Sequence, residues 1–564
     1  MRFFLFFCTL ITTCVSAQTQ FYVSPAGNNG NAGSLLQPWQ TVQHALDNAI
    51  PGCTINLMGG TYFENAVVSI SGNASNPITL KNYNNQNVVI DGSASIGGPL
   101  LYIGGKNYFI VSGIEFSNYA QNDAQGILVD GNCDHITITD NKIHDIHFSS
   151  NANDIPNANT NSQPIIVYGN DANNAITNLI ISGNEIYNCR TGFSEALAVN
   201  GNVDGFEIYG NRIHDNANIG IDIIGHEGTS SNPVTDQARN GNVSWNKTWN
   251  NVSAYATSAG IYVDGGVNCI IENNIAYGNG SGIEIGCEAI GKSASNITVR
   301  NNLIYSNREY GMVVGGYDYP NNSGKVDHSL ICGNTIAENN ITINSLGELV
   351  INYTENVSFK NNIVYTTTTD PLVSSEANSI SLSLDFNLYD SPTPLFYNNL
   401  NSFNSLSMWQ VSIGNDNASI FTDPLFVNPA MDNFRLTSTS PAIDSGDSTY
   451  TSTSGETDLD TMSRVQNGRV DIGADEYGTA VGISEINYQQ NDLMFYENVG
   501  SDLIIHFKES LSENATLFLY NSAGKLVEKK EMKKADCTVK FNTTKLAQGI
   551  YFASFNGSVL KILR

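Results

Sequence analysis

The chain has 564 residues, only 14% of them charged, and a formal net charge of −27 at pH 7. Such an acidic surface repels nucleic acids and anionic membranes, so the composition argues against both as partners. The length exceeds that of an ordinary single domain, and together with 50 glycines it suits a solenoid of short strands joined by tight turns.

Residues 1–17 have the pattern of a secretory signal peptide. Arg2 gives the positive charge, residues 3–15 the apolar core, and residues 15–17 a cleavage site of small residues. The apolar run is too short to cross a bilayer, and no other segment is long and apolar enough, so membrane insertion is not expected. A lipoprotein interpretation stays open, because residues 11–14 (ITTC) loosely resemble a lipobox.

The mature chain would keep seven cysteines at wide spacings, with no Cys-x-x-Cys pair. An odd number without short spacings predicts buried thiols and no zinc site or disulfide framework. These cysteines are Cys53, Cys133, Cys189, Cys269, Cys287, Cys332 and Cys537.

Residues 136–366 repeat one short pattern, in which alternating apolar residues are followed by Asn, another apolar residue and an aromatic residue or His. Apolar residues two apart face inward from a strand, and Asn can bond the Asn one coil above and below. Steps of 43, 27, 35, 28, 28, 32 and 28 residues predict a right-handed parallel β-helix with loops of variable length. The predicted ladder consists of Asn141, Asn184, Asn211, Asn246, Asn274, Asn302, Asn334 and Asn362.

An aromatic residue or His stands three residues after most of these asparagines. Because the column continues from coil to coil, it predicts structural stacking, which would include His144 and His214; a sugar platform or histidine catalysis is the alternative. The column comprises His144, Tyr187, His214, Trp249, Tyr277, Tyr305 and Tyr365.

A second strand follows in each coil, with aliphatic residues at its second and fourth positions. These positions point inward, so the third and fifth point outward. The segments are 126–131, 164–169, 196–201, 220–225, 260–265, 282–287 and 311–316.

The segment before this array, residues 21–62, begins FYVSPAGNNGNAGS and continues with a short amphipathic helix carrying Val42, Ala45 and Leu46. It resembles the N-terminal caps of extracellular β-helix enzymes of the pectate-lyase-like superfamily, and residues 71–92 strengthen the resemblance. A cap is needed because the first coil would otherwise expose its core to water. The resemblance covers residues 20–370 and implies the fold more strongly than a reaction. The predicted β-helix with its cap spans residues 18–430.

Residues 431–480 are predicted to close the solenoid, because the segments 433–447 and 468–478 resemble the closing segment of bacterial secreted β-helix proteins. The acids of this region either bind Ca²⁺ or serve turns, and both interpretations stay open. They are Asp444, Asp458, Asp460, Asp471, Asp475 and Glu476.

Residues 481–564 resemble the C-terminal sorting domain of the type IX secretion system of Bacteroidetes. The resemblance rests on LFLYNSAGKLV (517–527), LAQGIYFASF (546–555) and the final LKILR. It implies a small β-sandwich-like domain, the type IX machinery as a partner, and a secreted or cell-surface location.

Three consecutive coils break the apolar pattern of the outward third position, with Asp222, Tyr262 and Glu284 between aliphatic residues on both sides. Acids are disfavoured within strands, so we expect Asp222 and Glu284 to be catalytic together with Asp264, although a turn role for Asp264 before Gly265 is an equal alternative. Substrate binding is predicted for Tyr262, His226, Glu227, Glu288 and Glu195; a solvated rim position is the alternative for Glu195.

Stacked coils place the backbones of Asp222 and Glu284 about 9.6 Å apart. Inverting glycosidases hold two carboxyl groups about 6.5–9.5 Å apart, so the leading hypothesis is a glycoside hydrolase acting on a polysaccharide. A calcium-dependent polysaccharide lyase, with Lys247, Lys292, Arg239, Arg300, Arg308 or Tyr262 as base, is the second hypothesis. A non-catalytic surface glycan binder or adhesin is the third.

Overall fold

A computed structural model describes residues 18–342, 346–375, 378–399 and 401–478. Farther along, it describes residues 494–499, 502–507, 515–521, 526–534, 538–542, 550–555 and 558–563. The chain divides into two compact units, of which the second comprises Gly478–Arg564 and Asp460–Met462. The predicted signal peptide, Cys537 and most of the predicted Asn-x-x-Gly-Lys turn of the sorting domain lie outside the described residues.

The first unit is a parallel β-helix, as predicted. Its successive coils form three sheets of 13 strands, and the last strand of sheet 3, Asn401–Phe403, pairs antiparallel with Phe396–Asn398. Sheet 1 contains Gln20–Val23, Thr54–Leu57, Ile78–Asn82, Asn107–Ser112, Asp134–Thr139, Ile176–Ser182, Val203–Tyr209, Arg239–Ser244, Ile270–Glu272, Thr298–Arg300, Leu330–Cys332, Ser358–Lys360 and Ser383–Asp385. Sheet 2 contains Gly60–Tyr62, Val88–Asp91, Glu115–Ala120, Lys142–His147, Glu185–Tyr187, Arg212–His214, Lys247–Trp249, Ile275–Tyr277, Leu303–Tyr305, Thr335–Ala337, Ile363–Tyr365, Leu388–Asp390 and Ile420–Phe421. Sheet 3 contains Ala66–Val67, Leu101–Gly104, Ala124–Asp130, Ser162–Gly169, Leu197–Gly201, Ile221–Ile224, Ala259–Asp264, Ser281–Gly286, Tyr310–Gly315, Leu349–Asn352, Val373–Ser375, Phe396–Asn398 and Asn401–Phe403.

Short elements complete this unit. The predicted amphipathic helix is Val42–Asp47; its Thr41 cap accepts a hydrogen bond from the His44 amide, and Val42, Ala45 and Leu46 are buried. A second helix, Leu406–Ile413, buries Trp409 near the other end of the solenoid. The remaining elements are the strands Ser293–Ser295, Lys325–Asp327, Thr354–Glu355, Phe426–Asn428 and Asn433–Leu436 and the 3-10 helices Gly92–Ala94 and Pro429–Met431.

The asparagine ladder lies at the turn between sheets 1 and 2 and forms one continuous column, which confirms the predicted repeat. Each rung donates its amide N–H and its Nδ2 to the Oδ1 of the next; the distances from Asn246 to Asn274 are 2.9 and 3.1 Å. The column extends one rung beyond the prediction, because Asn362 bonds Asn387 in the same way.

A second asparagine ladder, which the sequence reasoning missed, lies at the turn between sheets 2 and 3. Its rungs follow those of the first ladder at an interval of five residues, and it ends where the carboxylate of Glu348 accepts from both nitrogens of Asn339. Both ladders are buried, so they satisfy turn amides that solvent cannot reach. The second ladder consists of Asn216, Asn251, Asn279, Asn307 and Asn339.

The predicted ring column stacks along sheet 2 from His144 to Tyr305, with near-parallel planes and centroids 4.0–5.9 Å apart. His214 is held between Tyr187 and Trp249 at 5.3 and 4.0 Å. The rings cover one another's faces, so the stack leaves little face area for a sugar. This geometry supports the structural interpretation of His144 and His214.

The closing segment packs against the solenoid through buried ion pairs. Arg300 of the solenoid lies 2.7 Å from Glu456 of the segment, and within the segment Arg464 lies 2.9 Å from Glu476. The segment's acids accept bonds from backbone amides, as when the two carboxylate oxygens of Asp471 accept from Asp444 and Tyr477. Among the described residues, no group of three or more His, Cys, Asp or Glu side chains could hold a metal ion. The geometry therefore favours turn chemistry over calcium binding here.

Aliphatic side chains of all three sheets fill the interior. Six of the predicted thiols are free and buried: Cys53, Cys133, Cys189, Cys269, Cys287 and Cys332. No helix in the described part of the chain has the length and apolar character to span a membrane.

The second unit contains two antiparallel sheets, in agreement with the predicted sandwich-like sorting domain. One has the strands Met494–Val499, Asp502–Phe507 and Thr538–Asn542, and the other Leu526–Met532, Ala515–Asn521, Ile550–Phe555 and Ser558–Leu563.

Candidate functional site

The outward face of sheet 3 carries the predicted site residues in the expected register. Asp222 pairs with Tyr262 across one coil boundary, and Tyr262 pairs with Glu284 across the next. Ala198 and Val313 occupy the same position on the flanking coils. The parallel register therefore aligns two acids and a tyrosine in one column, with Asp264 two residues farther along the Tyr262 strand.

The face is apolar on the coils that precede this column. Ile166 and Ala198 are buried there, and Ile224 is buried on the Asp222 strand itself, with Leu128 and Tyr168 packed against them. Tyr262 itself packs with Ile219 and Ala259. The acids therefore stand beside an apolar floor, where the solvation of a carboxylate is poor.

Burial raises the pKa values of the three acids that form the acid cluster: Asp222, Asp264 and Glu284. Asp222 and Asp264 are 3% and 5% exposed. Burial is the main cause that raises their pKa values well above the usual range, and neighbouring carboxylates add to it. Glu284 is half-buried, and burial with the charges of Glu288 and Glu309 raises its pKa to about 7.

Two members of the cluster differ in their hydrogen bonds. Oδ1 of Asp264 accepts from the Glu288 amide at 2.6 Å, so Asp264 also positions the loop after the next strand, which combines the turn role with the site role. Oδ1 of Asp222 is buried and has no hydrogen-bond partner among the described residues.

Tyr262 lies over Gly286, where an added Cβ would come within 3.1 Å of the Tyr262 hydroxyl oxygen. Burial raises the pKa of Tyr262 well above its usual value, and the negative charges of Asp264 and Glu284 reinforce the shift. The phenol is therefore a proton donor at neutral pH, and glycine in the adjacent strand leaves it room.

Glu195 lies in the turn before the strand Leu197–Gly201 and is half-buried. Burial, with the charges of Glu288 and Glu227, raises its pKa to about 8. Its charge raises the pKa values of Asp222 and Asp264 in turn. Glu195 is thus electrostatically part of the site, whereas the sequence had left a solvated rim position open.

The remaining predicted residues form a rim after the strand ends. Glu227 and Glu288 are exposed and His226 is half-buried. Burial and the charge of Lys292 lower the pKa of His226, which places this lysine near the rim. Sequence reasoning missed Glu309, whose charge raises the pKa of Glu284 from the following coil. Its position directly before the strand of that coil could have identified it from the sequence.

Asn218 is a further residue that the sequence reasoning missed. Its Nδ2 donates to the Ser194 carbonyl at 3.1 Å, whereas its Oδ1 is buried without a partner among the described residues. The unpartnered oxygens of Asn218 and Asp222 stand on one coil, and Glu195 follows Ser194. Carboxylate and amide oxygens are of the kind that calcium prefers, but among the described residues no group of three or more His, Cys, Asp or Glu side chains could hold a metal ion.

Together, the fold and the site define a right-handed parallel β-helix with a buried acid cluster on one face. The family model for the Pel9A-like right-handed β-helix region matches residues 21–370, more than half of the chain. The chain belongs to this family. A model for the secretion-system C-terminal sorting domain matches residues 499–563, so the protein is secreted, as the sequence predicted.

Two curated relatives and one solved structure are similar to the chain. The uncharacterized protein YwoF of Bacillus subtilis is 34% identical over 442 residues, 75% of this chain and 91% of YwoF. Pectate lyase PEL9 of Emericella nidulans is 44% identical over 80 residues, 14% of this chain and 20% of PEL9. The crystal structure of pectate lyase Pel9A aligns with a TM-score of 0.43 and 18% identity, covering 82% of this chain and 98% of Pel9A.

Proposed function

We propose that the protein is a secreted enzyme that cleaves a polysaccharide by hydrolysis, with the acid cluster as its catalytic centre. The observation that carries this proposal is the alignment of Asp222, Tyr262 and Glu284 on consecutive coils, where the flanking coils carry apolar residues. Most glycosidases need two carboxyl groups in one groove for catalysis.

The spacing supports an inverting reaction. Asp222 and Glu284 lie two coils apart, about 9.6 Å between backbones, which leaves room for a sugar ring and a water molecule between the carboxyl groups. A shorter separation would favour attack by one carboxylate on the sugar itself. Asp264, which is tied to the Glu288 amide, is better placed to orient a second group than to move a proton.

The protonation states assign the roles. Burial and neighbouring carboxylates raise the pKa of Asp222 well above its usual range, which favours its protonated form and the role of the general acid that protonates the leaving oxygen. Glu284 has a pKa of about 7 and greater exposure, so it is the general base that activates water. Tyr262 between them would donate a hydrogen bond to a substrate hydroxyl.

The products of cleavage test this proposal. The mature protein would be incubated with xylan, arabinogalactan, polygalacturonate and alginate, with reducing ends and absorbance near 235 nm recorded in parallel. Hydrolysis predicts new reducing ends without the absorbance, because elimination alone creates an unsaturated sugar. Binding without any cleavage would support a non-catalytic glycan binder.

A calcium-dependent lyase is the second candidate, favoured by the unpartnered oxygens of Asn218 and Asp222 and by the pectate lyase among the relatives. Asn218, Asp222 and Glu195 would hold the ion, which would neutralise a uronate carboxylate. Lys292 near the rim would then accept the proton, because the raised pKa of Tyr262 keeps its phenol protonated. Against this candidate, the net charge of −27 disfavours an anionic polymer as substrate.

Chelation separates the two candidates. For a lyase, EDTA should abolish both the 235 nm product and turnover, and added Ca²⁺ should restore them. For the hydrolase, turnover should survive EDTA, and Asn218→Ala should change it far less than Asp222→Asn does.

A further inference from the structure

A hollow lies at the turn between sheets 2 and 3, outside the acid cluster. It has a volume of about 600 Å³ and is formed by the loop between the strands Lys142–His147 and Ser162–Gly169. Its lining comprises three asparagine amides, two hydroxyls, one carboxylate and the apolar side chains of Phe148 and Ile155. The volume falls within the range of small-ligand sites, about 300–1,000 Å³.

The loop that forms this hollow is an insertion held in place by the next coil. The ladder step from Asn141 to Asn184 is 43 residues, against 27 for the following step, and most of the excess lies in this loop. Arg190 lies 4.5 Å over the Phe148 ring and donates to the Asn151 and Asp154 carbonyls, each at 3.0 Å. A cation from the solenoid body thus fixes the shape of the hollow.

The lining has the chemistry of a sugar site. Asparagine amides both donate and accept, as sugar hydroxyls do, and an apolar wall suits the C–H face of a ring. The Asp154 carboxylate already accepts from Ser149 Oγ and Asn151 Nδ2, so it offers less charge to a ligand than a free acid would. Asn159 is exposed within the lining, and Ile155 is 85% exposed.

The hollow is bonded to the segment that carries Glu195. The Thr160 carbonyl accepts from the Phe193 amide at 2.9 Å, and Asn161 Oδ1 accepts from Ser194 Oγ at 3.1 Å. The strand that follows the loop lies two coils before the Asp222 strand, about 9.6 Å along the solenoid. A polysaccharide chain that contacts both sites would run obliquely, from the turn before sheet 3 to the acid column two coils farther along.

We propose that this hollow is a distal sugar-binding subsite, which holds a neutral sugar unit of the polymer while another unit lies at the acid cluster. The part of this inference that places another sugar unit at the acid cluster rests on the proposed function. It predicts an enzyme that prefers long chains, because short oligosaccharides cannot reach both sites.

The test compares two substitutions in the same loop. Asn159→Trp fills the hollow, whereas Asn153→Trp adds the same bulk at an exposed position outside the lining. On the polysaccharide of the four-member panel that the wild type cleaves, Asn159→Trp should raise KM about tenfold without changing kcat, a loss of about 1.4 kcal/mol in binding. On the shortest oligosaccharide that is cleaved, both variants should match the wild type. The inference is overturned if the two variants behave alike on the polymer.

Binding measurements separate this inference from the proposed function. Affinity electrophoresis in gels containing each of the same four polysaccharides would compare wild type, Asn159→Trp and Asn153→Trp. If wild type and Asn153→Trp are retarded and Asn159→Trp is not, the subsite is supported. This holds even if no polymer is cleaved, a result that would contradict only the proposed function. Equal retardation of all three, or none with any polymer, overturns the subsite. Equal melting temperatures of the variants would exclude misfolding as a cause.

Discussion

Two sets of buried polar side chains lie on the same solenoid, the asparagine ladders and the acid cluster. In the ladders, each Oδ1 accepts from the next rung and each Nδ2 donates, so the buried amides have partners in almost every position. In the acid cluster, Asp222 Oδ1 has none among the described residues, and burial and neighbouring carboxylates raise the pKa values of Asp222 and Asp264. Satisfied polar groups hold the coils together, whereas the unsatisfied ones belong to the cluster that we propose as the substrate site.

The two sets also differ in how they repeat. The ladders continue over many coils, so each rung has the same neighbours and the same role. The acids occupy three coils and end at apolar residues on both sides. A break in a repeat is therefore a better sign of a binding site than the repeat itself, because stacking needs continuity and chemistry does not.

The largest expected effect is on catalysis. Asp222→Asn and Glu284→Gln preserve shape but remove the proton transfers, so each should lower kcat by about 10²–10⁴-fold with folding intact. Measured turnover on the cleaved polysaccharide, with circular dichroism as the folding control, tests this. A loss below tenfold in both variants would place the site elsewhere on the solenoid.

A substitution in the asparagine ladder should lower stability and leave turnover unchanged. Asn274→Ala leaves two donors of Asn246 buried without acceptors and should cost about 2–4 kcal/mol of unfolding free energy. Because the side-chain hydrogen bonds of Asn274 go to Asn246, Asn302 and Val243 and not to the acid cluster, turnover by the remaining folded protein should be unchanged. Chemical denaturation measures the loss. Asn153→Ala, at an exposed loop position, is the control and should be within about 0.5 kcal/mol of wild type.

The sequence was sufficient to predict the fold and the column of site residues. A parallel β-helix repeats one register in every coil, so counting outward positions aligned Asp222, Tyr262 and Glu284 without coordinates. The second ladder could also have been predicted from the sequence, because an Asn stands five residues after each of five consecutive rungs.

Other features of the site could not be counted from the repeat. The bond from Asp264 to the Glu288 amide depends on the path of a loop, and the role of Glu195 depends on a turn before its strand. Loop paths follow from tertiary packing rather than from local pattern, so these contacts required the structure. For the hollow beside Phe148, the only sign in the sequence was an unusually long ladder step.

A smaller effect should appear in stability. The raised pKa of Asp222 means that the folded state binds its proton more tightly than the unfolded state does. Stability should therefore fall as pH rises above the usual aspartate range toward the folded pKa. Asp222→Asn removes this penalty, so its melting temperature should exceed that of wild type by more at pH 8 than at pH 5. An equal difference at both pH values would contradict the raised pKa.

The smallest effect concerns the pH dependence of catalysis, and it can decide whether Glu284 is the general base or the general acid. After burial, the charge of Glu288 is the largest cause that raises the pKa of Glu284. That charge also raises the pKa of Asp222, whereas Glu309 raises the pKa of Glu284 from the coil beyond it, three coils from Asp222. Glu309→Gln should therefore lower the pKa of Glu284 and leave that of Asp222 unchanged. If Glu284 is the general base, the acidic limb of the kcat/KM profile moves to lower pH, because the base is ionised earlier; if it is the general acid, the alkaline limb moves instead. Glu227→Gln is the matched control, since Glu227 is a rim acid that acts on Glu195, Asp264 and Glu288. A shift of the alkaline limb would reverse the roles proposed for Asp222 and Glu284, and a profile unchanged in both limbs would remove Glu284 from the proton transfers.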